Sequence, residues 1–189
     1  MIPAGRELIL GGQKSGKSRR GESLAAAWLG TSPRHRAVLI ATGQPLDDEM
    51  RARIARHRIE RAARVPRLET VEEPLYLAEA LLAIGAPDTL VVVDCLTLWL
   101  TNLLMPPDDA TSRPEVAIET ETLLTALREA PGPVVLVGNE IGLGVIPMGR
   151  EVRAFVDALG VLNQQVAAVC DRVTLMAAGL PLNLKDTAA

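Results

Sequence analysis

Gly11-Gly12-Gln13-Lys14-Ser15-Gly16-Lys17-Ser18 sets two glycines four residues apart and follows the second with Lys-Ser. That spacing forms a phosphate loop when a strand leads into it and a helix leads out. Glycine is required because the backbone must curl closely enough for its N–H groups to surround phosphate oxygens. Lys17 then reaches the β- and γ-phosphates, the Ser18 hydroxyl ligates magnesium, and the helix that begins here aims its positive end at the same anion. Only three lysines occur in the chain, Lys14, Lys17 and Lys185, so two of them lie in this loop while the other basic residues are arginine. A compact ammonium suits a place where a planar guanidinium fork would not fit.

Two further groups could act on a bound nucleotide. Leu90-Val91-Val92-Val93-Asp94 ends an apolar strand on a carboxylate, where a phosphate-loop protein needs an acid to hold or orient the magnesium shell. Asp94 could equally cap a helix over 96–104, and the two roles are compatible. Residues 51–67, RARIARHRIERAARVPR, carry seven arginines and one histidine. Helical spacing puts Arg53, His57, Arg61 and Arg64 on one stripe, with Asp47, Asp48 and Glu49 at the helix start. A solvated amphipathic helix ordered by its macrodipole accounts for the pattern, but so many like charges repel unless an anion compensates them. His57, set among these guanidinium groups, is the candidate nucleophile. His35, in the turn SPRHR, is expected to be an exposed loop residue. Asn139-Glu140 could bind substrate or form a capping turn.

The elements that must position these groups alternate in type. Apolar runs predict strands at 7–10, 37–41, 68–71, 89–94, 134–137 and 172–176, and helices are predicted at 17–29, 46–63, 74–84, 96–104, 115–129 and 150–169. The tail LNLKDTAA is expected to add a short edge strand and then fray. Strands that are apolar throughout and alternate with helices imply an α/β fold: a single phosphate-loop domain over residues 1–189, with a mostly parallel central sheet and helices on both faces. Active groups then gather at the carboxyl ends of the strands. The turn-rich stretch 105–114 is expected to be a mobile surface loop.

Composition restricts the partners. A chain of 189 residues with 48% hydrophobic and 23% charged residues is ordinary for one globular domain. Aromatic residues make up only 2% and the net charge is −3, which argues against base stacking and a nucleic-acid partner. Charged and polar residues interrupt the apolar stretch 90–105, so no membrane span is expected, and the amino terminus lacks the layout of a cleaved signal, so a cytoplasmic location is expected. Cys95 and Cys170 have no ligand spacing and read as core thiols.

Read together, LILGGQKSGKSR, IATGQPLDDEMRARIARHR, TVEEPL, VVVDCLTLWLTNLL, VGNEIGLGVIP and LNQQVA followed by AAGLPLNL cover nearly the whole chain. It resembles the bifunctional adenosylcobinamide kinase/adenosylcobinamide-phosphate guanylyltransferase family of cobalamin synthesis. The resemblance implies phosphorylation of adenosylcobinamide by ATP or GTP, then transfer of GMP from GTP to adenosylcobinamide phosphate, with pyrophosphate leaving. It implies that His57 carries the GMP as a covalent intermediate and that Lys17 shares the catalytic work. It places nucleotide contacts at Gly11, Gly12, Gln13, Lys14, Ser15, Gly16, Lys17 and Ser18, at Ala41, Thr42 and Gly43, at Arg58, Ile59, Glu60 and Arg61, and at Glu72 and Asp94. Magnesium at Ser18 and Asp94, and assembly as a homotrimer, are further implications. The chain departs from the family pattern at Ala62, Leu68, Val156 and Val161. Without the resemblance, a plain phosphate-loop kinase for another small alcohol, or a nucleotide-driven switch module, fits the same loop.

Overall fold

Alternation along the strands builds two apolar layers. Leu8, Leu10, Val91, Val93, Val134 and Leu136 share one cluster, while Ile9, Leu90, Val92 and Val135 belong to the other. Successive strand side chains point to opposite faces, so strands buried on both sides need both sets apolar. The strands are β1 (Arg6–Gly11), β2 (Arg36–Ala41), β3 (Leu68–Glu72), β4 (Thr89–Asp94), β5 (Val134–Val137), β6 (Arg172–Ala177) and β7 (Leu180–Asp186). A computed structural model describes residues 5–106 and 114–187. In it these strands form one sheet in the order β3-β2-β4-β5-β1-β6-β7, parallel except for the antiparallel β6–β7 pair.

The helices are α1 (Lys17–Thr31), α2 (Asp48–Arg64), α3 (Leu77–Ile84), α4 (Leu96–Leu104), α5 (Val116–Glu129) and α6 (Arg150–Val169). Leu77, Trp99, Leu123 and Leu159 bring α3 to α6 onto the first layer, and Leu24, Ala25 and Leu29 bring α1 onto the second. Close approach of α1 requires Gly21, where an added Cβ would lie 3.3 Å from Val92 Cγ1. The fold expected from the alternating pattern is therefore the one observed.

Differences from the sequence expectation are local. Helix α2 starts two residues later than predicted because Asp47 caps it, accepting a hydrogen bond from Met50 N at 2.6 Å. Helix α3 starts three residues later because Glu73 Oε1 accepts from the N–H groups of Leu75 and Tyr76, holding a turn there. The final strand is longer than the short edge strand expected, seven residues with a register shift between Val173 and Thr174. His35 is half-buried rather than exposed: its ring stacks on Trp28 at 3.9 Å, and Nδ1 lies 2.8 Å from Thr31 Oγ1. The proposed mobile loop falls largely on 107–113, outside the described residues. Both cysteines are buried, as expected of core thiols.

Candidate functional site

β1 lies between β5 and β6, so the loop that leaves its end emerges near the middle of the sheet. Gly11 has φ 154°, and a Cβ there would sit 2.5 Å from the Met176 carbonyl oxygen and 2.6 Å from Ser15 Oγ. Gly16, at φ 100°, is the N-cap of α1 without a side-chain cap, which leaves the first N–H groups of the helix available to an anion. The loop has a backstop: Gly179 N, in the turn between β6 and β7, donates to the Ser15 carbonyl at 3.0 Å. Lys17 is 8% exposed and its Nζ donates to the Gly12 carbonyl at 2.6 Å. Burial holds its pKa below the ordinary lysine value, against the opposing pull of Cys95 and Asp94. Gln13 and Lys14 are exposed on the loop, and Ser15 is buried beneath it.

Parallel pairing of β2 with β4 sets Ala41 opposite Asp94 at the same end of the sheet. Just beyond, Thr42 is wholly buried and locks the two strand ends together: its Oγ1 donates to the Cys95 carbonyl at 2.7 Å and accepts from Cys95 N at 2.9 Å. Asn102 Nδ2 reaches back to the Thr42 carbonyl at 2.7 Å and the Pro74 carbonyl at 3.0 Å. The Thr42 hydroxyl is thus engaged by backbone, whereas Ala41 and Gly43 face the adjoining cavity.

That cavity has a volume of about 120 Å³, and Ser18, Gly43, Arg53, His57, Arg61 and Asp94 are among the residues lining it. Ser18 and His57 are distant in sequence, yet α2 places the imidazole on the same cavity as the phosphate-loop serine and the ends of β2 and β4. A second cavity of about 430 Å³ lies beside the first, sharing Arg58, Arg61 and Glu72 with it and extending over Leu68 and Thr70. Ile59 is 72% exposed and Glu60 is exposed, so these two positions point away from the shared wall.

Charge rather than apolar packing holds α2. Arg61 is its one buried side chain. Burial lowers the Arg61 pKa, and Asp94 and Glu22 oppose that shift. Arg64 Nε pairs with Glu22 at 3.1 Å, its Nη2 pairs with Glu60 at 3.3 Å, and Arg58 pairs with Glu72. Glu22 on α1 is 4% exposed, and burial raises its pKa despite Arg64 and Arg61. These carboxylates partly neutralise the arginine-rich stretch, whose like charges in the sequence call for an anion. Glu22 was not singled out by sequence reasoning; its position on the buried stripe with Ala25 and Leu29 is the signal that could have found it.

Asn139 and Glu140 sit where β5 ends. Asn139 N donates to Thr97 Oγ1 at 2.8 Å, Glu140 N donates to the Gly11 carbonyl at 3.1 Å, and Glu140 Oε1 accepts from Gly142 N at 2.8 Å. The glutamate side chain therefore forms a local turn. Among the described residues no cluster of three or more His, Cys, Asp or Glu side chains could hold a metal ion. Ser18 and Asp94 nonetheless offer two oxygen donors on one cavity, which suits a hard cation that takes its remaining ligands from water and phosphate. No helix among those residues is long and apolar enough to cross a membrane.

A family model described as cobinamide kinase / cobinamide phosphate guanyltransferase matches residues 7–184. The chain is 48% identical over 181 residues to a bifunctional adenosylcobalamin biosynthesis protein, CobP, of Pseudomonas aeruginosa, covering 95% of this chain and 97% of that one. It is 37% identical over 187 residues to the corresponding protein, CobU, of Escherichia coli, covering 94% and 98% respectively. Among solved structures, the flagellar accessory protein FlaH of Methanocaldococcus jannaschii aligns with a TM-score of 0.52 over 98% of this chain and 80% of that one. At 12% identity that likeness speaks for the fold alone.

Proposed function

The chain belongs to the cobinamide kinase / cobinamide phosphate guanyltransferase family, and we propose that both reactions use the nucleotide site built by the phosphate loop, β4 and α2. It is an enzyme of cobalamin biosynthesis that takes nucleoside triphosphates and cobinamide as substrates. In the first reaction the aminopropanol hydroxyl of adenosylcobinamide attacks the terminal phosphorus of ATP or GTP. The new O–P bond replaces the β–γ bridge bond, the nucleoside diphosphate departs with that electron pair, and the hydroxyl proton passes to solvent. Loop N–H groups and Lys17 neutralise the charge that spreads over the moving phosphoryl group. Ser18 and Asp94 would hold magnesium, which would supply further neutralisation of phosphate charge.

In the second reaction His57 attacks the α-phosphorus of GTP. A phosphoramidate N–P bond forms as the α–β bridge breaks, and pyrophosphate leaves. The phosphate of adenosylcobinamide phosphate then displaces the imidazole, giving adenosylcobinamide-GDP and restoring the ring. Arg53 and Arg61 flank the imidazole and offset charge on the α-phosphate, while Arg58 and Glu72 form the wall toward the larger cavity, a suitable size for the nucleoside. Assembly as a homotrimer in the cytoplasm belongs to the same reading; light scattering on the purified protein tests the former.

The observation that carries the proposal is the meeting of His57 with Ser18 and Asp94 on one cavity. It is tested by incubating the protein with GTP labelled on the α-phosphate, denaturing it and mapping an acid-labile, base-stable adduct. Label is expected on His57 and absent from His57→Ala, with phosphorylation of adenosylcobinamide reduced no more than about tenfold. A protein that phosphorylates the alcohol but never takes up label would be a kinase only.

A further inference from the structure

Between Glu140 and Arg150 the chain carries no charged residue, yet it runs across the surface. Val145 is 97% exposed and Met148 96%, Leu143 and Ile146 are also largely in solvent, and Ile141 is partly so. Apolar exposure on this scale, gathered in one loop, marks a surface that meets a partner. Both ends of the loop are fixed. Asn163 Nδ2 donates to the Asn139 carbonyl at 3.0 Å at one end, and Arg153 Nη1 donates to the carbonyls of Pro147 and Met148 at the other.

The loop's position identifies the partner. It leaves β5 where Glu140 N bonds to the Gly11 carbonyl, so it starts beside the first residue of the phosphate loop. β5, which carries it, lies between β1 and β4, the strands bearing the phosphate loop and Asp94. An acceptor alcohol must stand in line with the terminal phosphoryl group. The two cavities beside α2, of about 120 and 430 Å³, are assigned above to the phosphates and the nucleoside, which leaves the macrocycle to a surface outside them. We propose that the loop from Ile141 to Met148 is the platform for the corrin macrocycle of the acceptor. Its apolar side chains lie against the face of the ring, and the exposed Arg150 at the loop's end meets the ring's amide edge. The assignment rests on the kinase and guanylyltransferase reading above and adds to it the surface that selects a corrinoid over a small alcohol.

The triple variant Leu143→Ser, Val145→Ser, Met148→Ser removes the most exposed anchors without opening the core. Retention of adenosylcobinamide in equilibrium dialysis, followed by its visible absorption, is expected to weaken at least about tenfold, with a matching rise in KM for the corrinoid. KM for the nucleotide, α-phosphate labelling of His57 and the light-scattering mass are expected to stay within twofold, on the order of the scatter in such comparisons. Equal retention by wild type and variant overturns the platform. A fall in mass that accompanies the weakened retention also overturns it, because the loop would then join copies of the chain. Wild-type protein that does not retain the corrinoid at all overturns the functional reading along with the platform.

Discussion

Thr42→Val tests the lock that holds the site's two central strands in register. Valine keeps the volume and the branched Cβ, so no cavity opens, but it removes the hydroxyl that donates to the Cys95 carbonyl and accepts from Cys95 N. The side chain is 0% exposed, so water does not replace either bond. One buried N–H and one buried C=O lose their partner, at about 1–3 kcal/mol each, or roughly 2–6 kcal/mol together. For a chain of this length that corresponds to a fall in Tm of about 5–20 °C. Thermal melts read the Tm, and urea unfolding checks that the m-value is unchanged, as expected when the folded and unfolded surfaces are the same. Cys95 follows Asp94 directly, so the loosened backbone is also expected to raise the magnesium concentration needed for half-maximal phosphoryl transfer. A Tm drop of less than about 2 °C at constant m would refute the reasoning, because the pair of bonds would then contribute no more than a surface contact.

The remaining expectations involve groups whose ionisation burial disturbs. Lys17 has a folded pKa below its ordinary 10.5, so its contribution to stability is fully present only above that pH and is lost as pH falls. Lys17→Met is therefore expected to melt higher than wild type at pH 7, with the advantage shrinking toward pH 10.5, while phosphoryl transfer falls by about 10²–10³. Glu22 has a raised folded pKa, so its contribution is fully present below the ordinary 4.5 and is lost as pH rises. Melting curves of Glu22→Gln should shift in the variant's favour between acid and neutral pH, and a constant difference would contradict the assignment. Burial pushes the thiol pKa values of Cys95 and Cys170 up to about 11 and about 12. At pH 8 only on the order of one thiol in 10³ or fewer is then ionised, and a thiol reagent should label the protein in urea but not in buffer.

What could be read from the sequence was local. The phosphate loop has fixed spacing and a strand and a helix on either side, and β4 ends on Asp94 because the apolar run stops there, so neither needed knowledge of distant residues. His35 could not be placed, because its partner Trp28 sits seven residues back and meets it only once α1 ends and the chain turns. The arginine stretch was half legible. Its helix and its stripe followed from periodicity, but its countercharges Glu22 and Glu72 come from α1 and β3 and become neighbours only through the sheet. The same holds for His57 and Ser18, whose shared cavity is a product of tertiary folding. Thr42 stood inside a recognisable stretch, yet nothing in that stretch distinguished a hydroxyl facing a ligand from one committed to the backbone of Cys95.

The turn between β6 and β7 imposes an order on synthesis. Ser15 belongs to the start of the chain, while the N–H that braces its carbonyl belongs to Gly179, near the end. A nascent chain must therefore extend past Gly179 before the phosphate loop gains this bond, and a fragment ending at Ala177 would carry every residue of that loop without the brace behind it.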